Sequence, residues 1–317
     1  MGSCTLVELW WIKWAVAAAL VGSALVVHLR GRERFRFLRQ LFNHSTLLGP
    51  FNVLAYAFSK VPARAWIDRT QFPELDALRD EWRTIRAEAL ALNVPATVDT
   101  RLAANFDLGF NSFFKTGWRR FYLSWYGNAV PSAQRLCPRT VALLRGIPSV
   151  RGAMFAILPP GAYLNPHRDP FAGSLRYHLG LVTPNSPDCS ITVDGENYFW
   201  RDGEDVMFDE TFIHHARNDT GVERIILFCD VERPLHFAPM RWLNRLISRV
   251  IVSAGASGNA PGDPVGALNR LYGSALQPVG RRIDAVARML KKRNRGLFRA
   301  LKYASIALVL VLIVRWL

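Results

Sequence analysis

The residues best suited to chemistry in this chain are two histidines and an aspartate in its second half. Among the seven histidines, only His167 begins an H-x-D triplet, which reads His167-Arg168-Asp169. Side chains two residues apart in an extended segment point to the same side, so this imidazole and this carboxylate can reach one metal ion. A third ligand has to come from a distant strand, and the adjacent pair His214 and His215 supplies a candidate.

Two imidazoles and one carboxylate on one face are the ligand set of non-haem Fe(II) oxygenases, and they leave positions open for dioxygen and a co-substrate. An oxygenase that uses 2-oxoglutarate also needs a cation for the far carboxylate of that co-substrate, and a guanidinium binds two oxygens at once. Arg224 opens a predicted strand, and Arg176 and His178 share one side of another. A basic pair inside an apolar sheet indicates an anionic partner, with ion pairs to acids of residues 202–209 as the alternative.

These candidates lie in a region whose pattern is typical of a small β-barrel or sandwich. Short apolar runs alternate with turn signals such as Pro159-Pro160-Gly161. The predicted strands are Gly152–Leu158, Leu175–Val182, Ser190–Val193, Asn197–Trp200, Asp205–Phe208 and Arg224–Val231. Because six short strands follow one another so closely, we expect a mainly β domain with flanking helices.

Helical patterns precede this β region. Apolar residues repeat at helical spacing from Pro73 to Leu92, which predicts an amphipathic helix, and a second helix is predicted around Pro138–Arg145. Residues 111–127, between the two helices, are rich in Phe, Trp and Tyr. This composition suits strands, a pocket wall or simply the core.

The positive charge is concentrated in two flanking segments. The chain has 317 residues and a formal net charge of +15. Segment Arg30–Arg39 carries a net +4 and segment Arg241–Lys302 a net +11, whereas residues 40–240 sum to −1. A nucleic-acid-binding protein should carry its charge along a face of the folded domain, so we expect no nucleic-acid partner.

Each basic flank adjoins an apolar run. Leu9–Val27 is about long enough to cross a bilayer, interrupted only by Lys13, and Tyr303–Leu317 is a shorter candidate. A cleaved signal peptide is the alternative for the first run. By the positive-inside rule, two spans would place residues 30–302 in the cytoplasm.

Four arginines are candidates for contact with lipid phosphates. Residues 239–251 alternate apolar and basic side chains in the manner of an interfacial helix, in which Arg241 and Arg245 face headgroups. An ordinary juxtamembrane anchor is the alternative. Arg119 and Arg120 could also meet phosphates, with a solvated charge pair as the alternative.

Two stretches carry a resemblance to a known family. PGAYLNPHRDPFAGSLRYHLGLVTPN and FDETFIHHARNDTGVERIILFCDVERP resemble the aspartyl/asparaginyl β-hydroxylase family of Fe(II)/2-oxoglutarate dioxygenases, and within it the bacterial lipid A acyl-chain 2-hydroxylases. The resemblance covers roughly residues 60–235, and its motifs recur in order at matching spacing. It implies a double-stranded β-helix, also called a jelly roll or cupin-like fold, as the core.

The resemblance also implies roles for particular residues. The metal histidines correspond to His167 and His214, and the co-substrate-binding residues are implied to be Arg176, His178 and Arg224. The implied cofactors are Fe(II), 2-oxoglutarate and O2, with no catalytic side chain beyond the metal site. The founding aspartyl hydroxylases have glycine where this chain has Asp169, so ligation by Asp169 rests on its chemistry alone.

The resemblance and the apolar runs together predict an enzyme of the bacterial inner membrane whose catalytic domain faces the cytoplasm. Its expected reaction is hydroxylation at C2 of a fatty-acyl chain of lipid A or its precursor. The predicted order is a transmembrane helix (1–31), a basic juxtamembrane segment (32–61), the dioxygenase domain (62–238), basic surface helices (239–299) and a hydrophobic helix (300–317).

Three other functions remain open at this stage. A peptide hydroxylase of the aspartyl/asparaginyl type would share the same site. His214 and Asp219 form H-x4-D, the spacing of membrane lipid acyltransferases in which a carboxylate makes a histidine basic. A non-catalytic membrane scaffold would use the histidines as core residues.

Overall fold

The computed structural model describes residues 10–41, 43–92, 107, 109–298 and 300–301. The chain divides into two compact units. One unit, Ala19–Asn269, contains every strand that the structure describes. The other combines Met1–Ala18 with Arg270–Leu317, and its described part is helical.

Two antiparallel sheets make up the larger unit. The strands are β1 Trp66–Ile67, β2 Arg119–Trp125, β3 Asn128–Ala129, β4 Val150–Leu158, β5 Tyr163–His167, β6 Ser174–Val182, β7 Cys189–Val193, β8 Glu196–Phe199, β9 Asp205–Phe208, β10 His214–Asn218 and β11 Arg224–Glu232. The large sheet has the order β1-β9-β6-β11-β4-β2-β3, and the small sheet has the order β5-β10-β7-β8.

The order of the last eight strands defines a jelly roll. Apart from the β7–β8 hairpin, the chain changes sheet at each step from β4 to β11. Buried residues of both sheets form one apolar cluster between them. Strands β4, β6 and β11 are buried along almost their whole length, as expected of strands covered on both faces. The predicted mainly β architecture with a jelly-roll core is confirmed.

The described part of the chain also contains helices. They are α1 Trp10–Leu29, α2 Phe37–Leu41, α3 Gly49–Ala57, α4 Asp76–Asp80, α5 Trp82–Ala91, α6 Asn111–Phe114, α7 Pro131–Leu136, α8 Pro138–Arg145, α9 Ala238–Ile247, α10 Ala267–Leu271 and α11 Gln277–Arg293. Short 3-10 or π turns cover His44–Thr46, Arg69–Gln71, Pro73–Leu75, Ser248–Val252, Ser253–Gly255 and Tyr272–Leu276.

All six predicted strands are present, and so is the helix Pro138–Arg145. The single helix predicted from Pro73 to Leu92 is wrong as drawn, because a 3-10 turn, α4 and α5 divide it. Glu81 breaks the helix with a non-helical backbone, φ −93° and ψ 17°. Leu78 and Ile85 on either side of the break are nevertheless fully buried, so the apolar face was read correctly.

Helix α1 agrees with the predicted first span in length and composition. Residues Trp11–Leu29 are long and apolar enough to cross a membrane, and few of them are buried. The second predicted span, Tyr303–Leu317, lies outside the described residues. The boundaries predicted between the five segments stay predictions.

Candidate metal centre

Strand pairing in the small sheet brings the two predicted histidines together. His167 ends β5, His214 begins β10, and the two are direct partners in the antiparallel register. Their ring centroids are 4.1 Å apart. Asp169 follows β5, and its backbone N–H donates to the Glu210 carbonyl at 3.0 Å. One ligand atom from each of His167, Asp169 and His214 lies within 4.8 Å of the others.

The cluster resolves the choice between the two adjacent histidines. His214 belongs to it and His215 does not. Successive side chains of a strand point to opposite faces, so only one of the pair can face the cavity between the sheets.

Backbone carbonyls fix the tautomer of both imidazoles. His167 Nδ1 lies 2.7 Å from the Asn165 carbonyl oxygen, and His214 Nδ1 lies 3.0 Å from that of Phe212. A carbonyl oxygen only accepts, so each Nδ1 carries the proton and each Nε2 keeps its lone pair for a metal ion. Burial lowers the pKa of His214 to about 3 and also lowers that of His167, so both rings are neutral at pH 7.

Asp169 is held ionised by its neighbours. Burial by itself would raise the pKa of this carboxyl, but favourable electrostatic interactions, chiefly with the Arg176 guanidinium, outweigh that effect and lower it. Asp169 Oδ2 accepts from Arg176 at 2.7 Å, while Oδ1 lies 3.8 Å from His167 Nε2. Two neutral imidazoles and one carboxylate fit a divalent transition metal, Fe(II) among them.

Arg176 forms ion pairs with carboxylates of the protein itself. Besides Asp169, its guanidinium pairs with Glu210 and, at 3.0 Å, with Asp230, which faces it across the β6–β11 register. It also stacks over the ring of Phe228 at 3.6 Å. Arg176 therefore forms the ion pairs that the sequence left as an alternative, although its partners lie outside residues 202–209. In this arrangement its guanidinium is not available to a co-substrate.

Arg224 has the opposite environment in the same cavity. Its side chain is 2% exposed, and neither Nε nor one terminal nitrogen, Nη2, has a hydrogen-bond partner among the described residues. The guanidinium lies over the Trp200 ring at 4.4 Å. Burial lowers the pKa of Arg224 to about 10, so the group stays charged at pH 7. A buried cation without an anion is costly, which indicates a place prepared for an anionic ligand.

His178 adds a neutral donor to this part of the cavity. Trp200 Nε1 donates to His178 Nδ1 at 3.4 Å, so the proton of the ring is on Nε2. That Nε2 has no partner among the described residues. Burial lowers the pKa of His178 well below its usual range, with further lowering by Arg176 and Arg224. His178 thus offers an N–H bond without adding charge.

The rest of the cavity wall is apolar. Lining side chains come from α6, its flanking turns and both sheets: Phe110, Phe113, Trp118, Ala156, Leu164, Ile191, Phe208, Ala216, Ile226 and Phe228. The Phe113 ring lies 4.7 Å from that of His167, measured between centroids. The aromatic stretch predicted as strand, pocket wall or core therefore contributes to all three, since β2 also lies within it.

The predicted contact of Arg120 with lipid phosphates is wrong. Arg120 is fully buried and pairs with Asp107 at 2.5 Å. Its guanidinium also lies over the Tyr122 ring, 3.9 Å from the ring centroid. Strand β2 alternates faces, so of two adjacent arginines only Arg119 reaches the partly exposed side. There it pairs with Glu223 at 2.9 Å.

The other two lipid candidates lie on α9 and stay predictions. Arg241 donates to the carbonyls of Leu235 and His236, and Arg245 is more than half exposed and pairs with Glu232 at 3.0 Å.

The acyltransferase alternative does not fit this geometry. His214 Nδ1 faces the Phe212 carbonyl, whereas Asp219 pairs with Arg217 at 3.1 Å on the surface. The carboxylate that this mechanism needs beside the histidine is therefore engaged elsewhere.

Sequence reasoning missed three residues of the site, namely Glu210, Asp230 and Trp200. Asp230 shares the inward face of β11 with Arg224, so period-two counting along that strand could have found it. Glu210 lies in a turn and Trp200 directly follows β8, at the end of a predicted strand whose pattern does not reveal its partner Arg224.

Fold and site together define a class: a jelly-roll domain with a His/Asp/His cluster that could hold a metal ion, next to a buried arginine without a hydrogen-bonding anion among the described residues. The sequence model of the family "Aspartyl/Asparaginyl beta-hydroxylase" matches residues 79–234. This confirms the resemblance, and the matched segment is a domain of that family.

Two curated relatives illustrate the range of this family. The chain is 38% identical over 130 residues to an ornithine lipid ester-linked acyl 2-hydroxylase from Rhizobium tropici, covering 41% of this chain and 46% of the relative. It is 30% identical over 187 residues to human aspartyl/asparaginyl beta-hydroxylase, covering 56% and 24%. The matches thus span less than half the length of these relatives.

Among solved structures, a Pseudomonas putida prolyl-4-hydroxylase shares 19% identity and a TM-score of 0.33, covering 49% of this chain and 88% of the other.

Proposed function

We propose that this protein is an Fe(II)- and 2-oxoglutarate-dependent dioxygenase that hydroxylates a fatty-acyl chain of a membrane lipid. One observation carries the proposal. A single cavity is lined both by a neutral His/His set with an ionised Asp and by Arg224, a buried cation without a partner among the described residues. A metal ion and a dicarboxylate are the ligands that complement these two features.

The roles of the residues follow from their contacts. His167, Asp169 and His214 would hold the metal ion, which supplies the activation of dioxygen that oxidation of a C–H bond requires. Arg224 and His178 bind the far carboxylate of 2-oxoglutarate with a charged and a neutral donor. Arg176 keeps Asp169 ionised and fixes its second oxygen. In the overall reaction, 2-oxoglutarate, O2 and a C–H bond give succinate, CO2 and an alcohol.

The apolar wall supports an acyl chain as the group that is oxidised. Phe113, Trp118 and Leu164 present no hydrogen-bonding atom to a substrate except the indole N–H, and they exclude water from the metal side of the cavity. An acyl chain meets such a wall without desolvating polar groups. The relative from Rhizobium tropici is named as an acyl 2-hydroxylase, which favours C2 of the chain as the position attacked.

Exposed apolar side chains support work at a bilayer. Trp242 and Leu246 are exposed on α9 beside Arg245, and Ile283 and Met289 are exposed on the basic helix α11. Apolar stripes bordered by arginine and lysine suit an anionic lipid surface. We therefore propose lipid A or its precursor as substrate, at the cytoplasmic face of the bacterial inner membrane, with α1 as anchor.

An ornithine lipid is a second candidate substrate, because the relative from Rhizobium tropici carries that lipid in its name. The chemistry at the metal would be the same.

Lipid mass spectrometry tests the proposal and separates these substrates. Cells with and without the gene are compared, and the gene is restored as wild type or as His167→Ala. We expect one additional oxygen on an acyl fragment of lipid A only with the wild-type gene. The same shift confined to ornithine lipids would transfer the proposal to them, and no lipid shift combined with hydroxylated peptide would refute it.

A further inference from the structure

One buried arginine lies in the segment of residues 167–172, here called the metal loop, and makes no hydrogen bond to a carboxylate of the described residues. Arg168 lies between the two candidate ligands of the H-R-D triplet and is 1% exposed. Its guanidinium donates to three backbone carbonyls, those of Thr211 at 2.9 Å, Arg30 at 3.1 Å and Glu33 at 3.3 Å. Burying a charge against carbonyls alone is expensive, so this residue needs a reason beyond packing.

The three carbonyls belong to two segments far apart in sequence. Arg30 and Glu33 directly follow α1, whereas Thr211 belongs to the turn that leads into the ligand His214. Arg168, which lies between His167 and Asp169, therefore connects the residues after α1 to the turn before His214.

Arg30 makes a parallel connection on the other side of this turn. Its guanidinium pairs with Asp209 at 2.6 Å and with the hydroxyl of Thr211, and it stacks over the Phe212 ring at 4.2 Å. Phe212 is the residue whose carbonyl orients the imidazole of His214. A displacement of Arg30 would thus reach a ligand through one intervening residue.

The segment after Arg30 is fitted closely to the site. Gly31 has φ +87°, and a Cβ atom there would lie 2.5 Å from an Asp194 side-chain oxygen that already accepts from the N–H groups of Arg32 and Glu33. A side chain at this position would therefore push the segment away from Asp194, whose neighbour Val193 pairs with His214.

Two further side chains support the metal loop from the same N-terminal region. His44 Nε2 lies 3.1 Å from the Arg168 carbonyl oxygen. The Asn52 amide donates to the Pro170 carbonyl at 2.8 Å and accepts from the Ala172 N–H at 2.9 Å. These contacts lie on both sides of Asp169, at Arg168 and at Pro170 and Ala172.

We propose that these four side chains, Arg30, His44, Asn52 and Arg168, form a clamp through which the chain directly after α1 positions the metal ligands. Arg168 and Arg30 are positioning residues, since neither touches a ligand atom. The proposal rests on the metal assignment above and adds that the site is complete only when the segment after α1 is docked.

Cobalt(II) binding to the purified full chain in detergent tests the clamp, because the visible absorption of this ion reports the geometry of its ligands. The same substitution is made at three positions: Arg168→Lys, Arg30→Lys and, as matched control, Arg32→Lys. The Arg32 side chain is 77% exposed, and its ion-pair partner among the described residues is the exposed Glu196. Changes to groups that orient ligands typically weaken metal binding by roughly 10- to 100-fold.

We expect such a loss and altered absorption bands for Arg168→Lys, a smaller loss for Arg30→Lys and wild-type values for Arg32→Lys. Wild-type affinity and bands in folded Arg168→Lys would overturn the clamp. If circular dichroism shows that Arg168→Lys does not fold, Arg30→Lys decides by the same criteria. Equal cobalt binding by wild type and His167→Ala would instead refute the metal site itself, and the clamp with it.

Discussion

Arg176 and Arg224 line one cavity and are both almost fully buried, yet their surroundings are opposite. Arg176 meets three carboxylates, whereas Arg224 meets an indole ring and has two nitrogens without a partner. The acidic side, around Asp169, sets three carboxyl groups against one guanidinium and so favours a cation. The basic side favours an anion.

The comparison shows that residue type does not assign a function to a buried arginine. From the sequence, both arginines were candidates for the same carboxylate. What separates them is whether the fold has already supplied a counterion, since a satisfied ion pair stabilises the domain and an unsatisfied charge awaits a ligand. The two sides of the cavity can therefore be separated by experiment.

The largest effect is expected when the acidic side loses a metal ligand. His167→Ala should reduce iron-dependent succinate formation by more than about 100-fold, because even groups that only orient ligands are worth 10- to 100-fold. Succinate release by purified protein measures it. His215→Ala is the matched control and should keep activity within about twofold. Near-normal turnover by His167→Ala would remove the basis for the metal assignment.

Removal of the satisfied arginine should act on stability. Arg176→Met leaves Asp169, Glu210 and Asp230 without their cation, which should lower the free energy of unfolding by about 3–5 kcal/mol. Urea unfolding of metal-free protein provides the measurement. Arg217→Met, which breaks an exposed ion pair with Asp219, should change the free energy of unfolding little. A loss equally small for Arg176→Met would mean that the three carboxylates are not ionised together.

Removal of the unsatisfied arginine should act on co-substrate binding instead. Arg224→Met removes a charged, two-oxygen contact, and hydrogen bonds to charged groups contribute about 1.5–3 kcal/mol each, so KM for 2-oxoglutarate should rise about 100-fold. The same change should leave stability equal or higher, because a buried unpaired charge disappears. Arg201→Met, next to Trp200 but exposed, is the control. A strongly destabilised Arg224→Met with normal KM would contradict the assignment of this side.

The smallest effect is expected for the neutral donor. His178→Phe keeps a ring but loses one hydrogen bond of about 1 kcal/mol, so KM for 2-oxoglutarate should rise about fivefold. Burial lowers the pKa of His178 well below its usual range, and the ring therefore stays neutral above pH 6. The ratio of mutant to wild-type KM should consequently be constant from pH 6 to 8. A ratio that grows as the pH falls would show that the imidazole acts as a cation.

Much of the site could be predicted from local pattern. The H-x-D triplet and the pair His214-His215 predicted a cluster that the structure does form, and the resemblance to the family selected His214 from that pair. Strand position had already made Arg224 and His178 candidates. The partners of Arg176 could not be predicted in this way. Glu210 reaches it from a turn and Asp230 across a strand pair, and no spacing in the sequence encodes either distance.

The fold, like the site, has a part that local sequence pattern predicts and a part that it does not. The alternation of apolar runs and turn residues determined six strands and the mainly β class, because side-chain period and turn preference are properties of a few neighbouring residues. Strands β5 and β10, which carry the ligands, have weak patterns and exist because they pair with each other and with β7. Strand register depends on contacts between segments that are distant in sequence. Only the tertiary structure therefore decided which charges meet, which arginine stays unpaired and how the segment after α1 reaches the metal loop.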